Sequence, residues 1–490
     1  MIQDNVAGKG VMTVNSGLDN VIKKFKRYFE HGSIITNPVE LNLYSCDGLR
    51  LHSSQPGCVV IPESTDDIQV IVKTCNEYSV PFTARGAGTG LSGGATSDSG
   101  VIIQLSRMNQ VHEIDYANRC ATVQPGVVNS YLSMITRSEG YHFAPDPSSQ
   151  ISCTIGGNVA ENAGGPHTLK YGVTTDHILG MTAVMPSGEI IQFGGKERYS
   201  PGVDLTCLLT GSEGTLGVVS EVIVNLEKTP ETTRTFLLIF DQVCKATDTV
   251  SAILEKGIIP AAIEMIDSLC IQAVEAKLKA GFPKDAQAVL LVELDGSKTL
   301  VQRDADLLKN IVASLISEPI QEATTVEERM LLWKGRKHAA GSMGQLSPAF
   351  YTNDGVVPRH RLTDILNEIY RIGNYYQLRV ANLCHAGDGN IHPLILYDPG
   401  QTDEVNRSVE CSSDILKTCL DYGGSLTGEH GIGAEKSHLL TEMFSENQLE
   451  IMRGIKEIID PNNLANPGKI FPGSSGCGEL RQLSRKPEPV

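Results

Sequence analysis

A bare stretch of backbone sets the first constraint on this chain. Ala84-Arg85-Gly86-Ala87-Gly88-Thr89-Gly90-Leu91-Ser92-Gly93-Gly94-Ala95 holds five glycines in twelve residues. Backbone this free of side chains can curl until several N–H groups face one concavity, a nest that suits phosphate oxygens. Gly88-x-Gly90-x-x-Gly93 formally matches the dinucleotide fingerprint, but that fingerprint needs a helix directly after it, whose N-terminus holds the pyrophosphate. Thr96-Ser97-Asp98-Ser99-Gly100 reads instead as a turn, and Val101-Ile102-Ile103-Gln104-Leu105 as a β-branched strand. The pattern excludes a nucleotide-binding βαβ unit. It predicts a phosphate-cradling loop between strands, with Arg85 and Ser92 as polar helpers; the competing reading of the glycines alone is a flexible surface loop.

With 490 residues the chain can form two large domains or about three ordinary ones. A net charge of −16 argues against nucleic acid or anionic lipid as partner. No apolar run approaches the ~18 residues that span a bilayer, and the start, Met1-Ile2-Gln3-Asp4-Asn5, lacks the basic and apolar regions of a secretory signal. Lys23-Lys24-Phe25-Lys26-Arg27 reads as a solvated helix face. The cysteines are scattered, the closest pair being Cys411 and Cys419, and no C-x-x-C occurs. Neither an iron–sulfur cluster nor a zinc ribbon is supported. Dispersed thiols fit small buried hydrophobes in a reducing cytoplasm.

Hydrophobic periodicity predicts a helix over Leu18 to Phe29, a strand at Cys58-Val59-Val60-Ile61-Pro62, and a helix opened by a Ser64…Asp67 capping box. Strands follow at Val80 to Ala84 and Ala121 to Val123, then a helix over Val127 to Arg137. Pro145 to Asn158 is loop and glycine turn, leading into a helix at Val159 to Asn162. Its small residues let backbone approach a flat ring closely. Val218 to Val224 is a long apolar strand, and Lys228-Thr229-Pro230-Glu231 marks a boundary. Beyond it, strand and helix alternate three times to about Ser314, which predicts a second sheet with its own core and an α+β fold overall.

The second half carries the polar chemistry. In Val380-Ala381-Asn382-Leu383-Cys384-His385-Ala386-Gly387-Asp388-Gly389-Asn390-Ile391-His392-Pro393-Leu394-Ile395-Leu396, two apolar runs flank a turn sequence. A hairpin there sets His385 and His392 on facing strands, where cross-strand Cβ atoms stand about 5 Å apart. Thr427-Gly428-Glu429-His430-Gly431 adds a carboxylate and a third imidazole. Two histidines and one carboxylate make a metal site with open positions. Taken alone, two histidines beside a turn are ordinary hydrogen-bonded residues.

Arg85 to Ala95, Pro145-Asp146-Pro147-Ser148-Ser149, Thr154-Ile155-Gly156-Gly157-Asn158 and Gly211-Ser212-Glu213-Gly214-Thr215-Leu216-Gly217 occur in this order. Together they resemble the FAD domain of the vanillyl-alcohol-oxidase (PCMH-type) superfamily. From about Tyr44 to Phe471 the chain resembles the FAD-linked 2-hydroxy acid dehydrogenases, a family of flavin-binding subunits of bacterial glycolate dehydrogenases together with D-lactate and D-2-hydroxyglutarate dehydrogenases. The resemblance implies an N-terminal segment (1–53), a PCMH-type FAD-binding domain (54–230), an inserted substrate and metal domain (231–450), and a C-terminal segment (451–490) that returns to the FAD domain. It implies FAD contacts from Arg85, Gly86, Ala87, Gly88, Thr89, Gly90, Leu91, Ser92, Pro145, Asp146, Ser149, Thr154, Gly156, Gly157, Asn158, Val219 and Asn466. It gives His385, His392 and Glu429 as ligands of a divalent metal, zinc; His430 as catalytic base; and Arg336 and Asn390 as substrate contacts. The implied reaction takes a hydride from a small D-2-hydroxy acid, glycolate or D-lactate, to the flavin while His430 takes the metal-bound hydroxyl's proton. Electrons then pass to a separate carrier. The implied partners are an iron–sulfur subunit and a second FAD-domain subunit, and the implied location is the cytoplasm or the inner-membrane periphery.

Two positions depart from the 2-hydroxyglutarate branch of that family. Thr352 stands where that branch has a substrate-binding lysine, and Leu394 where it has an asparagine. A wall with these residues suits a short substrate with one carboxylate, and 2-hydroxyglutarate or another 2-hydroxy acid is the alternative. Two further readings compete: a metal-dependent hydrolase whose glycine loop binds an ordinary phosphate, and a non-catalytic flavoprotein scaffold. For covalent flavin attachment the sequence offers only His142 and His167 in the flavin segment.

Overall fold

The computed structural model describes residues 16–472 apart from 31, 51, 52, 198–201 and 317. The expectation for Met1 to Asn5, the rest of 1–15 and the tail beyond 472 lie outside the described residues. Three sheets carry the molecule. In the first, Ile34–Ile35 pairs antiparallel with Cys58–Val60, which runs parallel to Val101–Gln104, and Phe82–Arg85 lies parallel on its far side. The helix Thr65–Glu77 covers it, and the Ser64–Asp67 capping box forms: Asp67 N donates to Ser64 Oγ and Ser64 N to Asp67 Oδ2, both at 3.1 Å. Its buried face, Ile68, Ile71, Val72 and Cys75, has the expected helical spacing.

Phe82–Arg85 and Val101–Gln104 are parallel neighbours joined by the glycine loop with no helix between. The rejection of a βαβ unit therefore holds in the coordinates. The second sheet is antiparallel, in the order Val111–Asp115, Cys120–Val123, Val218–Asn225, Ile178–Val184, Ile190–Gly194. Against it packs the helix Ile155–Glu161, which starts four residues earlier than periodicity placed it because Thr154 caps it by accepting from Gly157 N. The helix expected over Val127 to Arg137 is shorter, Asn129–Thr136.

The third sheet has Gln321–Glu322, Thr232–Phe240, Ala288–Gly296, Ala262–Asp267, Arg379–His385, Asn390–Tyr397 and Ala349–Thr352 in that order, with Gly355–Val356 also on Asn390–Tyr397. Its pairings are antiparallel. Helices Val243–Glu255, Lys298–Val312 and Leu362–Tyr375 bury one face with Phe236, Leu238, Leu290 and Val292. Leu237, Ile239, Leu394 and Leu396 point to the other face, under Ser268–Lys277. The chain then comes back to the first sheet: Phe82 N donates to Leu464 O at 2.8 Å and Asn466 N to Phe82 O at 2.7 Å. No helix of the described residues is long and apolar enough to cross a membrane.

Candidate functional site

Between the first two sheets and the third lies a cavity of about 790 Å³, within the range of cofactor and ligand sites. One wall is the glycine loop from Arg85 to Leu91, with Ser149, Thr154, Gly156, Gly157, Asn158 and Glu161. The opposite wall carries His385, His392, Glu429, His430 and Arg336, with Phe350, Thr352, Leu383, Leu394 and Tyr397. Two stretches nearly 300 residues apart in sequence thus face one space.

The glycine wall is built to receive acceptors. Among the described residues, the amides of Gly86 to Ser92 make no hydrogen bond, whereas Gly93 N is taken by Asp47 Oδ2 (2.7 Å) and Gly94 N by Ser92 Oγ. Close packing needs the glycines. A Cβ on Gly86 would meet Thr154 Oγ1 at 2.4 Å, and Gly88, at φ +67°, has the Arg85 guanidinium 2.3 Å from that position. The unpaired amides, the bare backbone and the volume fit a diphosphate-bearing cofactor such as FAD.

Several expected cofactor contacts stand elsewhere. The Arg85 guanidinium donates to Ala95 O (3.0 Å) and Cys46 O (2.9 Å), closing the loop on itself. Ser92 is fully buried behind the loop, with its hydroxyl toward Glu161. Asp146 pairs with His167 and Lys337, and Pro145 O accepts from Asn129 Nδ2, while Pro147 and Ser148 reach the cavity in their place. Asn466 fastens Gly94 O and Glu213 O through its amide, and Val219 lies in a strand. Neither His142 nor His167 lines the cavity. Of these residues Arg85 lines the cavity, while Ser92, Pro145, Asp146, Val219 and Asn466 stand behind its wall.

The hairpin forms, with His385 opposite Asn390 and Leu383 opposite His392. The two imidazoles are diagonal neighbours on one face, their rings perpendicular with centroids 5.1 Å apart. Glu429 brings one carboxylate oxygen between them, 3.1 Å from His385 Nε2 and 3.2 Å from His392 Nε2. The remaining nitrogens are held from behind. His385 Nδ1 lies 2.8 Å from Glu264 Oε1, and His392 Nδ1 lies 3.2 Å from Asn353 O. Outer partners of this kind fix the tautomer that leaves Nε2 free for a metal. The ligand atoms of His385, His392 and Glu429 lie within 4.8 Å of one another. Burial works against charge on His385, but the Glu264 and Glu429 carboxylates overcome it and lift the imidazole to about 10.

His430 stacks on His392 at 4.9 Å and 13°. Burial pushes its imidazole down to about 4, the Asp354 carboxylate opposing. Burial thus favours the uncharged ring. Arg336 is buried against Glu264, and its Nε has no hydrogen-bond partner. Asn390 is not on the cavity wall: its amide donates to Asp354 Oδ1 (2.8 Å) and Gly355 O (3.1 Å).

Asp354, to which the sequence reading gave no role, organises the loop. Its fully buried carboxylate accepts from the Thr427 hydroxyl and from the amides of Gly428 (3.0 Å), Glu429 (3.3 Å) and His430 (3.0 Å). Lys436 stands 3.4 Å away. Burial opposes its charge, but His430, Lys436 and His392 together hold Asp354 below the usual carboxylate range. Glu264 was missed too, although a lone acid inside Ala262-Ile263-Glu264-Met265-Ile266 was a visible signal.

Comparison with known proteins shows the family. Residues 56–194 match the family described as "FAD binding domain", and residues 229–470 match "FAD linked oxidases, C-terminal domain". The chain is similar to the glycolate oxidase subunit GlcD of Escherichia coli strain K12, 42% identical over 94% of this chain and 93% of that protein. The GlcD of Bacillus subtilis strain 168 is 39% identical over 88% and 92%. A D-lactate dehydrogenase of Anaerostipes hadrus is 31% identical over 93% and 98%. Among solved structures, p-cresol methylhydroxylase superposes with a TM-score of 0.79 at 17% identity over 95% of this chain and 98% of that one, a likeness of fold. The family matches make the chain an FAD-linked oxidoreductase, built on a fold that it shares with p-cresol methylhydroxylase. Within that class the chain belongs to the FAD-linked oxidase family that contains the glycolate oxidase GlcD subunits.

Proposed function

We propose that this enzyme oxidises a small D-2-hydroxy acid, glycolate or D-lactate, to the 2-oxo acid. The observation that carries the reading is the convergence of two imidazole Nε2 atoms on one Glu429 oxygen, inside the cavity that the glycine loop lines. The names of the similar bacterial proteins, glycolate oxidase subunit and D-lactate dehydrogenase, supply the substrate class.

In this reading the amides of the Gly86–Ser92 loop hold the FAD diphosphate, and His385, His392 and Glu429 hold a divalent metal, for which zinc suits the donor set. Bound FAD supplies the two-electron acceptor, and the metal a Lewis acid that lowers the substrate hydroxyl's pKa. His430, uncharged and backed by the loop that Asp354 clamps, accepts the hydroxyl proton. Arg336 offers its free Nε–H to the substrate carboxylate. Phe350, Leu383 and Leu394 close the far wall with apolar surface, which favours a hydrogen or methyl group on the substrate over a second carboxylate. Electrons leave to a separate carrier, an iron–sulfur subunit in a complex with a second FAD-domain subunit, in the cytoplasm or at the inner-membrane periphery.

Anaerobic mixing of the purified flavoprotein with glycolate, D-lactate and D-2-hydroxyglutarate tests the reading. Glycolate or D-lactate bleaches the flavin at micromolar to millimolar substrate, and the dicarboxylate does so far more slowly. Fast bleaching by D-2-hydroxyglutarate alone would transfer the assignment to that substrate.

A further inference from the structure

Two carboxyl groups outside the histidine cluster meet where the walls of the cavity join. Glu161 ends the helix Ile155–Glu161, and Glu213 lies in the Gly211–Gly217 turn. Backbone bonds stitch them together: Gly211 N donates to Val159 O and Glu213 N to Ala160 O, both at 2.8 Å. Both carboxyls press on the same two glycines. A Cβ at Gly94 would meet Glu161 Oε1 at 2.7 Å and Glu213 Oε2 at 3.4 Å. One at Gly431 would meet Glu161 Oε2 at 2.3 Å and Glu213 Oε1 at 2.9 Å. Gly94 belongs to the glycine loop, and Gly431 follows His430 directly.

Glu213 Oε1 accepts from the amides of Ile432 (2.7 Å) and Gly433 (3.0 Å), while Oε2 is buried with no partner. Glu161 lines the cavity, with the Ser92 hydroxyl 3.5 Å from each oxygen. Two carboxylates this close, Glu213 buried and Glu161 half-buried, resist ionising together. The charges around them are Asp47, which adds repulsion, and Lys436 and Lys469, which offset it. Burial, then the neighbouring Glu213, holds Glu161 well above the usual carboxylate range, and burial raises Glu213 as well.

We propose that Glu161 and Glu213 share a proton and that Glu161 takes up the second proton of each turnover. The proposal rests on the reading of the cavity as the site of 2-hydroxy acid oxidation. Converting a 2-hydroxy acid to the 2-oxo acid releases two electrons and two protons. The hydroxyl proton goes to His430. The hydrogen on carbon leaves with the electron pair and becomes a proton only when those electrons pass to a one-electron acceptor. His430 can hold one proton, so the second needs another acceptor on the cofactor side of the cavity. The Glu161–Glu213 pair stands there and moves between one and two protons, losing the extra one to water before the next substrate arrives.

Two measurements test this. Infrared difference spectroscopy on the cofactor-free protein at neutral pH reads the carbonyl stretch of a protonated, buried carboxylic acid. The wild type shows this band, and both Glu161→Gln and Glu213→Gln remove it. Stopped-flow spectroscopy on the flavin-loaded protein separates reduction by D-lactate from reoxidation by ferricenium, which takes an electron and no proton. In Glu161→Gln the reoxidation rate falls at least about a hundredfold relative to the reduction rate, the low end of what a lost proton acceptor costs, and Glu161→Asp restores part of it. No carboxylic acid band in the wild type, or a band that survives both substitutions, overturns the shared proton. Equal slowing of both steps, or of neither, overturns the role of Glu161. Failure of glycolate and D-lactate to reduce the wild-type flavin contradicts the proposed function instead, and the infrared arm still decides on the pair.

Discussion

His385 stands with its Nδ1 2.8 Å from Glu264 Oε1, on the side of the ring away from Glu429. Glu264 accepts a hydrogen bond from Nδ1–H, which keeps that proton on Nδ1 and leaves the Nε2 lone pair for a cation held between it and Glu429. Replacing Glu264 by Gln keeps the shape and removes the charge. The expected result is a loss of metal affinity of about 10–100-fold. Metal analysis after dialysis against graded chelator measures it, and unchanged retention would contradict the role given to Glu264.

Asp354 collects the Thr427 hydroxyl and three successive amides from the loop that carries Glu429 and His430. Asp354→Ala leaves those donors buried and unpaired and lets both side chains drift. A misplacement of about 1 Å costs on the order of 10²-fold in rate. The steady-state kcat falls by about that factor while the visible flavin absorbance per chain stays near wild type, because the glycine loop is untouched.

Arg336 lines the cavity, its guanidinium against Glu264 and its Nε buried without a hydrogen-bond partner. Arg336→Met removes the fork that pairs with a substrate carboxylate, and a charge-assisted pair of this kind contributes about 1.5–3 kcal/mol. The KM for glycolate rises at least about tenfold, by the same conversion, and more than kcat falls. A variant with lower kcat and the same KM would assign Arg336 to orienting Glu264.

A polar seam joins the FAD-binding half to the third sheet, and it should respond to pH. His167 lies between Asp146 (2.9 Å) and Glu293 (3.2 Å), and Glu293 also accepts from Thr235, Arg329 and Trp333. Burial opposes a charge on His167, but the two carboxylates raise it to about 10. Its unfolded value is about 6.5. The stabilisation is therefore complete below about pH 6.5 and is lost as pH rises through about 10. The thermal midpoint falls over that window in the wild type and much less in His167→Gln. Glu293→Ala strands buried donors and lowers stability by roughly 3–5 kcal/mol, read as a lower midpoint at neutral pH.

Much of this was written in local sequence. The glycine loop was legible because bare backbone followed by a turn and a β-branched run allows few structures. The hairpin was legible because two apolar runs flank Gly387-Asp388-Gly389-Asn390, which sets His385 and His392 on facing strands, although Asn390 itself opens the second strand. What sequence hid were contacts set by tertiary register. Asp354 looks like any turn aspartate until the 427–430 loop folds over it. Asn390 shares the sheet face of His385 and His392, yet it does not line the cavity, because Asp354 and Gly355 O claim its amide. Arg85 and Ser92 carry groups that suit phosphate, yet the loop uses them to hold its own shape. No pattern of spacing pairs Glu161 with Glu213, since backbone bonds between segments 50 residues apart bring them together.

The central claim is that one cation, held by His385, His392 and Glu429, and one base, His430, act on the substrate beside the flavin. The most direct measurement is the rate of anaerobic flavin reduction by glycolate and D-lactate in protein stripped of metal by chelator and then resupplied with zinc. The account predicts that the flavin stays bound throughout, that reduction falls by at least about a hundredfold on stripping and returns with zinc, and that His430→Ala stays slow with the metal in place. Full-speed reduction in the stripped protein, or in His430→Ala, would contradict it.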